Sequence, residues 1–358
     1  MRKSNFELLR LISMFFVLVL HANYLSIDAP IYMEVSAPEF AIRHFIESFT
    51  FIAVDVFILI SGYFSIRPSI KSVSNLLFSC FFYSIGIRVV YLLVCWSIGK
   101  EVPNNLENPF LFISNSVWFV ADYLMLVVFA PILNAFIDHT PKKTSITTVA
   151  FMIIFAVYFG MARSSLIEYI SGFSFITFII IYLIGRILHQ NQDWIKKHIK
   201  NSYIFGGYLL GLFAYYGAVV VRSMMGHECY LEHLGECLLF SYTNPILILT
   251  AVCFFWLFAQ KEFYSTKINT LAKSTFAILL IHTNSEVMDL YNEFFMYAHE
   301  HFTFGTYITV MLCACIFVFW ASILIDQIRI FIYDRWVKPI IMKVTEAIGS
   351  LQLNRSKY

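Results

Sequence analysis

Apolar runs of membrane-spanning length follow one another along almost the whole chain of 358 residues. The chain is 59% hydrophobic and only 13% charged, and its mean hydropathy is +0.72. About twenty mostly apolar residues are enough for a helix to cross a bilayer. The sequence therefore predicts an all-α polytopic membrane protein with about ten transmembrane helices. The predicted spans cover 6–27, 45–65, 73–97, 117–137, 145–161, 172–188, 203–221, 238–259, 271–290 and 304–326.

The basic residues support this interpretation, because they are distributed unevenly between the two sides. With the N-terminus inside, most of the 25 Lys and Arg residues fall in segments assigned to the cytoplasm. Both termini are therefore predicted to be cytoplasmic. Residues 1–330 are predicted to form the transmembrane domain and residues 331–358 a cytoplasmic amphipathic tail, whose helix Pro339 should end or kink.

Several classes of function have no support in the sequence. No basic block is interleaved with exposed aromatics, so a nucleic-acid surface is not expected. The first apolar stretch is too long for a cleavable signal peptide and no cleavage site follows it. The sequence also has no glycine-rich phosphate loop, GxSxG turn or HExxH motif.

One predicted outer loop contains side chains of metal-binding and disulfide-forming types. His227, Glu228, His233 and Glu236 lie there at a loose spacing, so no metal is predicted. Cys229 and Cys237 lie in the same loop and would pair only in an oxidising compartment.

Arg10 and His21 are the most informative pair, since both lie in the first predicted span. Eleven helical residues return to within about 20° of the starting face and rise about 16 Å. A charged and a titratable side chain therefore share one stripe of a membrane helix. Side chains of this kind are expensive to keep in a bilayer, so both are candidates for function.

The other intramembrane polar residues separate by depth. Asp55 lies near the middle of the second predicted span, and Asp122 lies near the outer end of the fourth. His282 and Glu286 are one turn apart on the ninth predicted span and should face the same way. The sequence thus predicts an acid–imidazole cluster in the outer half of the membrane.

Cationic residues gather at the inner side instead, where Arg10, Arg67 and Lys71 lie. Guanidinium groups recognise phosphates, so this cationic mouth suits a phosphorylated donor. Imidazole and carboxylate groups can remove a proton from a hydroxyl. The axial distance from Arg10 to His21 is similar to the length of a pantetheine arm.

Simpler roles are open for each of these residues. Asp55 can serve only to neutralise Arg88, which lies inside the third predicted span. His282 can be a hydrogen-bonded packing residue, and Arg10 can extend to the inner interface with no further role.

Four segments resemble the acyltransferase-3 family of integral membrane O-acyltransferases, in the order in which the family has them. FELLRLISMFFVLVLH (6–21) is similar to the family's first span, with an Arg and a His at Arg10 and His21. STFAILLIHTN (274–284) is similar to its stretch that ends in a histidine, here His282.

The two remaining segments resemble the family's second and fourth spans. VDVFILISGYFSIR (54–67) matches at Asp55, Ser61, Gly62 and Arg67, and VWFVADYLMLVVFAPILN (117–134) matches at Trp118, Pro131 and Asn134. IDQIRIF (325–331) resembles the subgroup that modifies surface polysaccharides. The chain departs from the family pattern at Asp122 and at Thr283–Asn284.

The resemblance implies O-acyl transfer in a bacterial cytoplasmic (inner) membrane. The donor would be a cytoplasmic acyl-coenzyme A, with acetyl as the first choice and succinyl or a longer group left open. The acceptor would be a hydroxyl of an envelope glycan or a lipid-linked sugar.

The resemblance also implies roles for the candidate residues. His21 would be the general base, or a transient acyl carrier. Glu286 or Asp55 would orient an imidazole, and His282 would help to bind the acceptor or the oxyanion. Arg10, Arg67 and Lys71 would bind the coenzyme A phosphates. The acceptor would contact Trp118, Asp122 and Tyr123.

A proton-coupled exporter of a sugar or small organic acid is the alternative, since buried charges at graded depth also suit transport. Such a protein would move its solute without acyl-coenzyme A.

Overall fold

The computed structural model describes residues 3–27, 37–101, 118–161, 172–224, 239 and 241–355. All regular elements in these residues are helices, which confirms the predicted all-α class for this part of the chain. The first eight helices are α1 (Ser4–Tyr24), α2 (Phe40–Thr50), α3 (Ala53–Phe64), α4 (Ile70–Ile98), α5 (Trp118–His139), α6 (Lys142–Met161), α7 (Phe175–Gln190) and α8 (Gln192–His198). The others are α9 (Asn201–Met224), α10 (Pro245–Ala259), α11 (Thr266–Leu271), α12 (Thr275–His282), α13 (Ser285–His301), α14 (Phe304–Ile332) and α15 (Lys338–Arg355).

Six helical stretches of the described chain are long and apolar enough to cross a membrane. They are Ser4–Tyr24, Phe40–Phe64, Ile70–Ile98, Trp118–His139, Asn201–Met224 and Phe304–Ala347. Two more apolar helices, α7 and α10, are shorter, with 16 and 15 residues. The chain is thus a multi-pass membrane protein, whereas the total of about ten spans and the cytoplasmic termini stay predictions.

Helix α1 lies in the middle of the bundle. It packs against α2, α3, α10, α11, α12, α13 and α14. Its apolar residues are buried on most sides, as for Leu9 and Leu18, which are fully covered. A helix that is apolar all round is expected to be buried in this way. Arg10 and His21 therefore point into the protein rather than into lipid.

Helices α3 and α7 approach each other closely because glycines lie at their contact. A Cβ built on Gly62 would be 2.1 Å from the carbonyl oxygen of Tyr182, and one on Gly185 would be 2.5 Å from that of Leu59. Small residues allow membrane helices to pack backbone against backbone. The Ser-Gly pair that the second segment shares with the acyltransferase-3 family thus has a packing role at Gly62.

The ninth predicted span is not one helix. It begins with α11 and a 3₁₀ turn, continues as α12 and ends at His282. Asn284 then caps α13, because its side-chain oxygen accepts a hydrogen bond from the backbone N–H of Glu286 at 3.2 Å. His282 and Glu286 therefore lie on different helices, and the prediction that they share one helical face is wrong.

The C-terminal segment continues the last membrane helix. A π-helical turn at Tyr333–Val337 joins α14 to α15, and the helix runs on past Pro339. Pro339 has no N–H to donate, and the widened turn just before it is where such a gap is accommodated.

Replacing Gly62 by alanine should destabilise the bundle, since the new methyl group would overlap a backbone carbonyl. Overpacking of this kind costs about 2 kcal/mol or more of the free energy of unfolding. Thermal unfolding in nanodiscs would measure it. Gly86→Ala is the matched control, because a Cβ on that helical glycine meets nothing within 4 Å. Equal stability of the two variants would contradict the assigned contact.

Candidate active site

The structure brings His21 and His282 together in the bundle interior. His21 lies in the last turn of α1, and His282 is the last residue of α12. The Nδ1 atom of His21 is 3.1 Å from the Nε2 atom of His282. His282 is fully buried, whereas His21 is partly accessible. The sequence predicts a depth for each histidine, but it does not predict this contact.

Hydrogen bonding fixes which nitrogen of each ring carries the proton. The Nδ1 atom of His282 is 2.7 Å from the carbonyl oxygen of Ile278, which can only accept, so Nδ1 must donate. A neutral His282 then has a lone pair on Nε2, and the Nδ1–H group of His21 donates to it. This leaves the Nε2 lone pair of His21 free, and no described residue donates a hydrogen bond to it. A free imidazole nitrogen held in one orientation is suited to act as a base.

A cavity of about 370 Å³ lies beside the histidine pair, towards the N-terminal end of α1. Its wall comes from α1, α3, α4, α5, α12 and α14, together with the segments before α4 and α12. Four cationic residues line it: Arg10, Arg67, Lys273 and Arg329. The rest of the wall is largely apolar and includes Met14, Phe57, Phe119, Phe276 and Leu279.

The apolar part of the cavity points towards the histidines. Leu279 is one helical turn before His282 on α12, and Met14 is two turns before His21 on α1. At 1.5 Å per residue, the two histidines are about 5 to 10 Å beyond these lining residues. Arg10, which also lines the cavity, lies about 16 Å from His21 along the axis of α1.

The four cations of the cavity divide into two kinds. Arg10 Nη1 lies 2.8 Å from Glu7 Oε1, and the Arg329 guanidinium binds both carboxylate oxygens of Asp326. In the described part of the chain, Arg67 and Lys273 have no carboxylate at ion-pair distance. These two residues give the cavity an uncompensated positive charge.

Of the three cations predicted at the mouth, Arg10 and Arg67 line the cavity, but Lys71 does not. Lys71 is exposed at the start of α4, and its carbonyl oxygen accepts a hydrogen bond from the Tyr333 hydroxyl at 3.3 Å. Lys273 and Arg329 were not predicted. Lys273 is a single lysine beside an apolar run, and Arg329 lies in the IDQIRIF segment.

The two carboxylates predicted to orient an imidazole lie elsewhere. Glu286 forms a buried ion pair with Arg88 of α4. The alternative that Asp55 neutralises Arg88 is therefore wrong. Asp55 is 1% exposed in α3, and its Oδ2 atom makes no hydrogen bond with the described residues. Among the described residues, the side chain that hydrogen-bonds to His21 is the second histidine rather than a carboxylate.

The residues predicted to bind the acceptor occupy two places. Trp118 packs in an aromatic cluster with Phe173, Phe178 and Tyr242, with ring centroids 4.8 to 5.9 Å apart. Tyr123 lines the cavity instead, and its hydroxyl is 3.5 Å from Ser61 Oγ. Asp122 between them is partly buried.

The loop residues His227, Glu228, Cys229, His233, Glu236 and Cys237 lie outside the described residues. Within the described ranges, no group of three or more His, Cys, Asp or Glu side chains is arranged to hold a metal ion.

Comparison with known proteins gives one match. Residues 3–327 match the family model described as an acyltransferase domain, that of the acyltransferase-3 family. The match includes both His21 and His282. Of the four cations that line the cavity, it includes Arg10, Arg67 and Lys273 but not Arg329. Neither a curated protein nor a solved structure matches the chain.

The Arg88–Glu286 pair yields a stability prediction. Glu286→Gln would leave a buried guanidinium without its counter-ion, which costs about 3 kcal/mol or more. Thermal or denaturant unfolding in nanodiscs would detect the loss. The exposed pair Asp334–Lys338, at 2.7 Å, supplies the control: Asp334→Asn should leave the stability almost unchanged, because solvent screens an exposed ion pair. Equal losses of stability in the two variants would show that the buried pair stabilises the protein no more than the exposed pair does.

Proposed function

The chain belongs to the acyltransferase-3 family and is a membrane acyltransferase, and on that basis we propose that it transfers an acetyl group from coenzyme A to a sugar hydroxyl. The acceptor in this proposal is an envelope glycan or a lipid-linked sugar. The proposed location is the cytoplasmic (inner) membrane of a bacterium, with the donor entering from the cytoplasm.

One observation carries the proposal. His21 donates a hydrogen bond to His282, which donates to the Ile278 carbonyl oxygen, and this arrangement leaves His21 with an unprotonated Nε2. An acceptor hydroxyl gives its proton to this nitrogen as its oxygen attacks the thioester carbonyl carbon. The resulting imidazolium is stabilised because its Nδ1–H group already donates to His282. His282 thus takes the orienting role that the sequence assigned to Glu286 or Asp55.

The second half of the reaction returns the proton. The carbon–sulfur bond of the tetrahedral intermediate breaks, and the departing thiolate receives the proton from His21 Nε2. The acceptor has then lost one proton and gained an acyl group, and the coenzyme has become a free thiol. No proton has to enter or leave the membrane, so one histidine is enough as base and then acid.

The cavity supplies the donor site in this proposal. Arg67 and Lys273, with Arg10, bind the phosphates of coenzyme A near the cytoplasmic side. The pantetheine arm then runs along the apolar wall towards the histidines. Tyr123 belongs with this arm because it lines the cavity, whereas Trp118 and Asp122 remain the proposed acceptor contacts. Lys71 adds positive charge at the mouth without lining it.

The exporter is not favoured, because the family match is to acyltransferases over almost the whole chain. The two functions also differ in a direct readout. An acyltransferase releases free thiol from acetyl-coenzyme A, whereas an exporter moves its solute across vesicles in the absence of any thioester.

Replacing His21 by alanine should lower thiol release from acetyl-coenzyme A by about 100-fold or more, because the general base is lost. His282→Ala should lower it less, by about tenfold or more, because it removes only the group that fixes the tautomer of His21. The assay uses nanodiscs and an envelope glycan extract as acceptor. His198→Ala, at an exposed histidine of α8, is the control. Full activity of His21→Ala would refute the mechanism.

Lys273→Ala should raise the KM for acetyl-coenzyme A by about tenfold, since it removes an unpaired charge from the phosphate site. The KM for acetyl-pantetheine, which lacks the nucleotide phosphates, should not change. Lys267→Ala removes an exposed lysine of α11 that does not line the cavity, and should leave both values as they are. An equal effect on both donors would place Lys273 outside the phosphate site.

A further inference from the structure

The connection from α3 to α4 carries Arg67 into the cavity and is tightly constrained. It spans residues 65–69, between Phe64 and Ile70. Ser65 has φ 60°, in the left-handed region that residues other than glycine seldom adopt. Pro68 follows Arg67, and the Ser69 side chain caps α4. The turn therefore has a defined shape on both sides of Arg67.

Ile66, the residue just before Arg67, has both backbone groups bound by side chains. Its N–H donates to the Tyr182 hydroxyl at 3.0 Å, and that hydroxyl donates to Asn134 Oδ1 at 2.7 Å. The Nδ2 group of Asn134 donates a hydrogen bond to the Ile66 carbonyl oxygen at 2.9 Å. The three hydrogen bonds form a closed ring, which we call the Ile66 clamp.

The clamp depends on the close packing of α3 and α7. Gly62 and Gly185 allow their backbones to approach, so that the fully buried Tyr182 ring reaches the end of α3. Asn134 lies on α5, which also packs against α7. Helices α5 and α7 therefore hold the residue that follows the end of α3.

The clamp is made by helices that lie outside the turn it holds. Residues 67–71 are exposed, whereas Ile66 just before them is half-buried. Two side chains, from α5 and α7, bind Ile66 directly before a cation that has no ion-pair partner of its own in the described chain. Without such a partner, the place from which the Arg67 side chain reaches into the cavity is set by the turn that carries it. Fixing it in advance lowers the ordering cost of binding a ligand.

We propose that Tyr182 and Asn134 are positioning residues that aim Arg67 at the phosphates of the acyl donor. This inference rests on the proposed function, in which Arg67 binds coenzyme A. Asn134 is also one of the residues that the sequence shares with the acyltransferase-3 family, and the clamp gives it a role that the reaction itself does not.

Tyr182→Phe tests the proposal, because it removes the hydroxyl from the clamp and keeps the buried ring. We expect the KM for acetyl-coenzyme A to rise about fivefold to tenfold, with kcat changed by less than about twofold. Tyr63→Phe is the matched control. The Tyr63 hydroxyl of α3 donates to Gln192 at 2.7 Å and has no part in the clamp, so its removal should leave KM unchanged.

A double-mutant cycle separates positioning from general stability. If Tyr182 acts through Arg67, then Arg67→Ala combined with Tyr182→Phe should have the same KM as Arg67→Ala alone. Additive increases in KM, or an unchanged KM in Tyr182→Phe, would overturn the proposal. Asn134→Ala provides a second route to the same cycle if Tyr182→Phe does not fold.

Hydrogen exchange gives a readout that needs no donor. Peptides covering residues 64–69 should exchange faster in Tyr182→Phe than in the wild type or in Tyr63→Phe. Unchanged exchange would mean that the clamp does not hold the turn. If the wild type binds no coenzyme A at all, the proposed function fails, and the exchange measurement still decides whether the clamp exists.

Discussion

Polar groups inside this bundle can find partners only within the protein, because the hydrocarbon around the helices offers them none. Helix α1 shows the constraint most clearly, since it is buried on most sides and has polar residues along its length. At its C-terminal end, Asn23 Nδ2 donates to the Arg43 carbonyl at 3.0 Å, and the Arg43 guanidinium donates back to the Asn23 carbonyl at 2.8 Å. At its N-terminal end, the Ser4 hydroxyl donates to Asn269 Oδ1 at 2.9 Å. His21 can face the interior because α1 is anchored at both ends.

The same requirement gives the cavity its charge. Arg88, Arg186 and Arg329 each have a carboxylate partner. The first two ion pairs join neighbouring helices, and the third joins neighbouring turns of α14. Arg67 and Lys273 face the cavity without one. Net attraction for an anion thus arises from which cations are neutralised, not from how many are present. A count of basic residues in the sequence contains no information of this kind.

The sequence predicts how far along its helix each polar residue lies, but it does not predict the direction in which that residue faces around the helix. The all-α class, the membrane character and the family follow from apolar runs and four short motifs, and all three are confirmed. The contact between His21 and His282 depends on how two helices are rotated against each other, which no single span encodes. The break before α13 did have a local signal, since Asn284 followed by Ser285 and Glu286 is typical of a helix N-terminus. The apolar run 276–281 just before it obscured this signal.

The pairing of two histidines, rather than a histidine with a carboxylate, suits a site inside a membrane. A carboxylate beside His21 would be a permanent charge in a poorly polar environment, with a large desolvation cost. Neutral His282 fixes the tautomer of His21 through one hydrogen bond and carries no charge at rest. In the proposed mechanism, charge appears only while His21 holds the proton of the acceptor, and the hydrogen bond to His282 strengthens at that moment. The carboxylate nearest in sequence, Glu286, is neutralised by Arg88 instead, so the imidazoles face each other without a fixed charge between them.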